Sequence, residues 1–294
     1  MNYASLSTEK VNARSRDLDR LTPNQIVQLM NREDRRVLRA IAQGRAAIAR
    51  AVQIVVNSLR QGGRLIFVGA GTSGRLGVLE AAECPPTFGT PPGLVQAIMA
   101  GGRSAVFRSK EGSEDSEKEA VSAIRRLRVG RKDAVVGIAA SGVTPFVRAA
   151  LRAARHQGGR TILLTCNPEP PNGLARVVIA LRTGPEILAG STRLKAGTAC
   201  KMVLNMLTTA SMVQMGKVFG NRMVDLEPKS RKLIERGIGL IQQLGGASDR
   251  EARALFKASH GHIKAAIVMA SKKVPFSKAL RDLAAARGFL RNVI

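Results

Sequence analysis

The sequence predicts an α/β fold: a doubly wound, five-stranded parallel sheet flanked by helices, with N-terminal helices and a small C-terminal helical bundle. Three observations carry this. Short apolar runs alternate with helical patterns through the middle of the chain, the first run ends in a glycine-rich turn that opens a helix, and beyond Ser191 only helical periodicity remains. A chain of 294 residues is long for one small domain. The expected division is 1–60 as an N-terminal helical segment packed on the sheet, 61–245 as the sheet domain, and 246–294 as a small helical domain.

Taken in order, Pro23 to Leu59 reads as helices. Ile26, Leu29, Met30, Val37, Leu38, Ile41 and Ile48 recur at helical spacing among charged residues, and Thr22-Pro23 supplies a cap and a first-turn proline. The run Leu65 to Val68 is a strand that ends in Gly69-Ala70-Gly71-Thr72-Ser73-Gly74, a strand, glycine loop and helix in succession. Further strands are expected at Leu94–Met99, Ala134–Ile138, Ile162–Leu164 and Val177–Leu181, with helices at Glu114–Arg128 and Thr144–Arg155. Helices follow over Ser191–Val218 and Lys229–Leu244. The last fifty residues hold a repeat of period 27, in which Phe256, Gly261, Ile263 and Ile267 correspond to Leu283, Gly288, Leu290 and Ile294.

Composition narrows the function. Apolar residues make up 45% of the chain, so a core is expected, built from aliphatic side chains because there is no Trp and one Tyr. No apolar run is long enough to span a bilayer, and the three cysteines lie far apart without metal or disulfide spacing; a cytoplasmic protein without metal or cofactor fits. The net charge of +26 pulls toward nucleic acid. Its lysines and arginines are scattered singly and almost no aromatics accompany them, so a solvated basic surface is expected and a nucleic-acid partner is not.

In a parallel sheet, ligands bind beyond the carboxyl ends of the strands. The loop at Gly71, Thr72 and Ser73 lacks the lysine of a Walker loop and is not read as a dinucleotide fingerprint. Its two hydroxyls at a helix start can bind a phosphate alongside free backbone N–H groups. A second loop, Ser141-Gly142-Val143-Thr144, repeats that arrangement after another strand. Carboxylates number only 21, and Glu83, before Cys84-Pro85-Pro86, and Glu114 stand out in loop contexts. A pair of carboxyls suits acid/base chemistry on a sugar, one protonated and one ionised. On spacing alone the plainer readings remain: a surface charge for Glu83 and an acidic first turn for Glu114. His156, His260 and His262 show no metal spacing and are expected to serve surface or packing roles.

Four motifs in order resemble the N-acetylmuramic acid 6-phosphate etherases: Gly69 to Gly77, Ala82 to Gly89, Glu111 to Asp115 and Gly190 to Thr198. The resemblance extends from Thr8-Glu9-Lys10-Val11-Asn12 and Asn31-Arg32-Glu33-Asp34 to Gly261-His262-Ile263-Lys264. It implies the sugar isomerase fold and a homodimer with its site near the subunit interface. It also implies cleavage of the D-lactyl ether of a phosphosugar by elimination, then addition of water, in cell-wall sugar recycling. Glu83 would protonate the departing lactate and Glu114 would take the proton at C2; Gly71, Thr72, Ser73, Ser141, Gly142, Thr144, Glu186, Ser191 and Lys195 would contact the substrate. The rival is a non-catalytic phosphosugar sensor similar to the glucokinase regulatory protein, which shares the Thr-Ser-Gly-Arg loop but not the Ala-Glu-Cys-Pro-Pro segment. One geometric difficulty stands out. If Ser73 to Glu83 is a single helix, about 15 Å of rise separates them, so either the helix breaks early or Glu83 serves the partner's site.

Overall fold

The computed structural model describes residues 6–169 and 173–294. They fall into two units, one built from the chain up to Ala81 with Gly93–Thr208, the other from Ala82–Pro92 with Thr209–Ile294.

The first unit opens with α1 (Pro23–Arg60), one helix of 38 residues where helices in the plural were expected. Thr22 and Gln25 close it with a reciprocal capping box. Its buried positions, among them Val37, Ile41, Gly44, Ile48, Val52 and Val55, form one stripe along its length from Glu33 onward. Gly44 interrupts a good helical sequence for a steric reason: a Cβ there would stand 3.1 Å from Leu181 Cδ2. The arginines at 35, 39, 45, 50 and 60 lie exposed along the helix, as a solvated basic face requires.

Next come β1 (Leu65–Gly69), α2 (Gly71–Phe88), β2 (Val95–Met99), a single turn α3 (Ser104–Phe107), α4 (Glu117–Arg126), β3 (Ala134–Ile138), α5 (Pro145–His156), β4 (Arg160–Thr165), β5 (Val177–Ala180) and α6 (Lys195–Gln214). The five strands are parallel in the order β2-β1-β3-β4-β5. Both faces are covered. Ile66, Val68, Val135 and Leu163 pack with α4 and α5 through Ile124, Phe146, Val147 and Leu151, while Phe67, on the opposite face of the pleat, meets Gly77 of α2. A sheet buried on both faces demands apolar residues at consecutive positions, which is why β1 and β3 read as unbroken apolar runs.

In the second unit α6 gives way to a short antiparallel hairpin, β6 (Val218–Phe219) and β7 (Arg222–Met223), where only helices were expected. Then follow α7 (Arg231–Gly245), α8 (Asp249–Ala258), α9 (Ile263–Lys272) and α10 (Phe276–Ala285). The 27-residue repeat is visible in the backbone. His260-Gly261 and Arg287-Gly288 both take positive φ, Gly261 N–H donates to the Phe256 carbonyl as Gly288 N–H does to that of Leu283, and Ile263 and Leu290 are both buried after the turn.

Candidate functional site

The register pairs Gly69 of β1 with Met99 of β2 and Ile138 of β3, and Ile138 with Leu164 of β4, so the strands end level. The strand order reverses between β1 and β3, and a crevice for ligands opens at that point. The two hydroxyl-bearing loops are the ones that leave β1 and β3 there.

The three glycines of the first loop divide their work. A Cβ on Gly69 would lie 2.6 Å from Gly74 N, and one on Gly74 would lie 2.7 Å from Gly69 O, so both allow helix α2 to sit against the strand. Gly71 has φ +53° and no atom within 4 Å of its Cβ direction, leaving open space above the loop. Contrary to the expectation from sequence, positions 69, 71 and 74 carry dinucleotide-fingerprint spacing, and two of them perform its packing role. The acidic ribose partner such a fingerprint requires is missing, because β2 ends at Met99 and the turn after it reads Ala100-Gly101-Gly102-Arg103. Thr72 and Ser73, half-buried, stand in the first turn of α2, where N–H groups have no intrahelical partner.

In the second loop Gly142 has φ +77°, and a Cβ there would lie 2.9 Å from Thr165 Oγ1. Ser141 Oγ accepts from Val143 N–H at 3.3 Å. Thr144 precedes α5 without making a side-chain cap bond. Both hydroxyl residues are half-buried at the crevice edge.

Glu114 reaches the first loop. After β2 the chain turns through α3, which Arg75 ties to α2 by donating to the carbonyls of Val106 and Ala105 at 2.8 Å each. Gly112, at φ +73°, then starts a 3-10 turn over Ser113–Asp115. A cleft of about 130 Å³ results, lined among others by Gly71, Arg75, Lys110, Ser113 and Glu114. The capping role weighed for Glu114 belongs to another residue: α4 begins at Glu117, and Ser116 Oγ accepts from Glu119 N–H. Arg75 and Lys110 were not singled out from sequence, although Arg75 follows the glycine loop directly.

Glu83 is exposed and lies in the later half of α2. The helix is unbroken from Gly71 to Phe88, so the early break considered above does not occur. Pro85 and Pro86 sit inside its last turns and remove the donors that the carbonyls of Ala81 and Ala82 would otherwise take.

Glu186 and Lys195 are engaged within the protein. Glu186 is buried and accepts from the backbone N–H groups of Lys195 at 3.1 Å and Ala196 at 2.8 Å, capping α6. Burial pushes its carboxyl above the usual range, against these hydrogen bonds and the Lys195 charge. Lys195 Nζ, equally buried, donates to Glu33 Oε2 at 2.5 Å and to the Pro185 carbonyl at 2.6 Å. Glu33 also accepts from Asn12 at 2.8 Å and Arg14 at 3.0 Å. Burial alone would raise the Glu33 carboxyl, but the bonds from Lys195 and Asn12 and the charges of Lys195 and Arg36 hold it below the ordinary value. The motifs around Asn12, Glu33 and Lys195 thus meet in one network. It holds the loop that carries Ser191, itself half-buried, against α1. Among the described residues no group of three or more His, Cys, Asp and Glu side chains is arranged to hold a metal ion, and no helix is long and apolar enough to cross a membrane.

Residues 47–155 match the family described as glucokinase regulatory protein N-terminal SIS domain. Over most of its length the chain is similar to proteins named N-acetylmuramic acid 6-phosphate etherase. That of Rippkaea orientalis is 52% identical over 265 residues, 90% of this chain and 87% of the relative. That of Picosynechococcus sp. is 49% identical over 290 residues, covering 98% and 96%. That of Geobacillus thermodenitrificans is 46% identical over 290 residues, 98% of each. The regulatory-protein match ends within the sheet unit at α5, whereas these relatives also align through the helices beyond it.

Proposed function

Because this chain belongs to the N-acetylmuramic acid 6-phosphate etherase family, we propose that it is a carbon-oxygen lyase. It cleaves the D-lactyl ether of N-acetylmuramic acid 6-phosphate to N-acetylglucosamine 6-phosphate and D-lactate, in the cytoplasm, as a step of peptidoglycan sugar recycling. The observation that carries the reading is the shared cleft of Gly71 and Glu114 at the carboxyl end of the sheet.

The chemistry follows from the substrate. In the open-chain sugar the C1 aldehyde acidifies C2–H, and Glu114 removes that proton; the electron pair moves into the C2–C3 bond as the lactate oxygen leaves C3. Alkoxides leave poorly, so Glu83 supplies a proton to that oxygen. Water then adds at C3 and a proton returns to C2. Gly71, Thr72, Ser73, Ser141, Gly142, Thr144 and Ser191 hold the phosphate and sugar hydroxyls, with the start of α2 favouring the anionic end. Glu186 and Lys195 act from behind by fixing the start of α6. The sheet unit carries most of the site, residues 1–60 brace it, and the terminal helices from α7 onward form the helical domain.

The protein works as a homodimer in which Glu83 serves the partner's site. Support comes from the unbroken α2, whose rise between Ser73 and Glu83 is about 15 Å, more than one phosphosugar contact spans. Incubation of the purified protein with N-acetylmuramic acid 6-phosphate and assay of D-lactate tests the function. The alternative, a sensor that binds the phosphosugar without turnover, is disfavoured by the etherase relatives that align over 98% of the chain; binding with no lactate released would establish it.

A further inference from the structure

The second unit contains a cavity of about 780 Å³ that the reaction above does not use. Its polar wall includes Thr90, Lys217, Asp225, His260, His262 and Lys264, together with Glu227 and Lys229. The fold builds this wall from two directions. The turn after α2 packs on the backbone of Asp225, where a Cβ on Gly89 would stand 2.3 Å from the Asp225 carbonyl oxygen. That places Thr90 beside the hairpin unit, and the turn between α8 and α9 brings in the two histidines, whose rings flank Phe276 at 5.7 and 6.1 Å.

Charge in the cavity is unbalanced. Glu227 is paired with Lys229 at 2.7 Å, while Asp225 Oδ2 is shared by Lys264 at 2.8 Å and Lys217 at 3.0 Å, so three ammonium groups line the cavity against two carboxylates. Lys264 is buried and also donates to the carbonyls of Gly216 and Gly288, which satisfies its three protons. Burial lowers its pKa, Asp225 opposes the shift, and the neighbouring Lys217 charge adds to it. Lys217 has Asp225 as its one ion-pair partner among the described residues and keeps donors to spare. Thr90 is buried, and its hydroxyl has no hydrogen-bond partner among the described residues, an arrangement that costs stability unless a ligand or water completes it.

We propose that this cavity is a second small-molecule site and that it takes a phosphate monoester. The donors are Lys217, Thr90 and the imidazoles of His260 and His262. Together they match the several acceptor positions of a phosphate better than the two oxygens of a carboxylate. The remaining wall, with Pro85, Pro91, Val224 and Ile263, suits a carbon skeleton, and the volume is that of a metabolite site.

The chain has three histidines, and His156 lies at the end of α5 in the first unit. Imidazole proton resonances therefore report on the cavity with an internal control. Titration with glucose 6-phosphate should shift the His260 and His262 signals saturably and leave His156 unmoved, with the same response in Glu114→Gln. Thr90→Val, nearly isosteric, should keep the fold and weaken the midpoint about tenfold, the loss of one hydrogen bond to a charged group. Lys217→Met should weaken it further. D-lactate and glucose should give no saturating shift. The proposal is overturned if the two signals fail to saturate with glucose 6-phosphate, if both substitutions leave the midpoint unchanged, or if D-lactate binds as well as the phosphate ester.

Discussion

Replacing Lys195 with Met tests whether this residue anchors the fold or touches substrate. Met retains most of the packing volume and removes the charge. Glu33, with no exposed side-chain surface, would then lose its one buried counter-charge; Arg14 and Arg36 remain but are 60% and 40% exposed. Solvent screens those two, so they compensate weakly. Breaking one side of a buried pair costs about 3–5 kcal/mol, and the retained Asn12 hydrogen bond argues for the lower end. That corresponds to a melting temperature lower by roughly 6–20 °C at about 2–4 °C per kcal/mol.

The pH dependence has a definite sign. In the parent, the Glu33 pKa is depressed, so its contribution is fully present above the unfolded value of 4.5 and is lost as pH falls through the lower folded value. In Lys195→Met, burial acts with its main opponent removed, so the deficit should be largest near neutrality and shrink on acidification. Glu33→Gln combined with Lys195→Met should lose less than the sum of the single changes. Thermal unfolding read by circular dichroism between pH 4 and 8 measures all three. A Lys195→Met protein as stable as the parent at every pH, yet impaired in lactate release, would refute this reasoning and make Lys195 a substrate contact.

Three further outcomes are expected. Glu114→Gln should abolish solvent exchange of the C2 proton and Glu83→Gln should mainly slow lactate departure, each by about 10²–10⁴-fold; full C2 exchange in Glu114→Gln removes it as the base. Chains carrying Ser73→Ala and Glu83→Ala, each inactive alone, should regain lactate release after subunit exchange, because one site of each mixed dimer is then intact; no recovery despite proven exchange places Glu83 in its own chain's site. Gly74→Ala should destabilise by about 1–3 kcal/mol through a Cβ forced against the Gly69 carbonyl, measured by denaturant midpoint, whereas Gly71→Ala, with open space at its Cβ, should cost only the strain of its positive φ.

Local order is what the sequence determined by itself. The five strands, the cap at Thr22, the glycine loop and the period-27 repeat were legible because each rests on neighbouring residues: burial on both faces makes strands apolar throughout, and a helix start advertises its cap. The extent of α1 as one rod and the β6–β7 hairpin were not, since a 38-residue helix is sustained by the strands it covers and two-residue strands leave no period to detect. Tertiary structure alone decided which side chains of the site meet. Ser116, and not Glu114, caps α4, and Lys195 pairs with Glu33, 162 residues away in sequence, a contact that no spacing along the chain announces. Charge pairing and cavity walls depend on distances in space, and spacing along the chain encodes those only where a single helix or strand connects the partners.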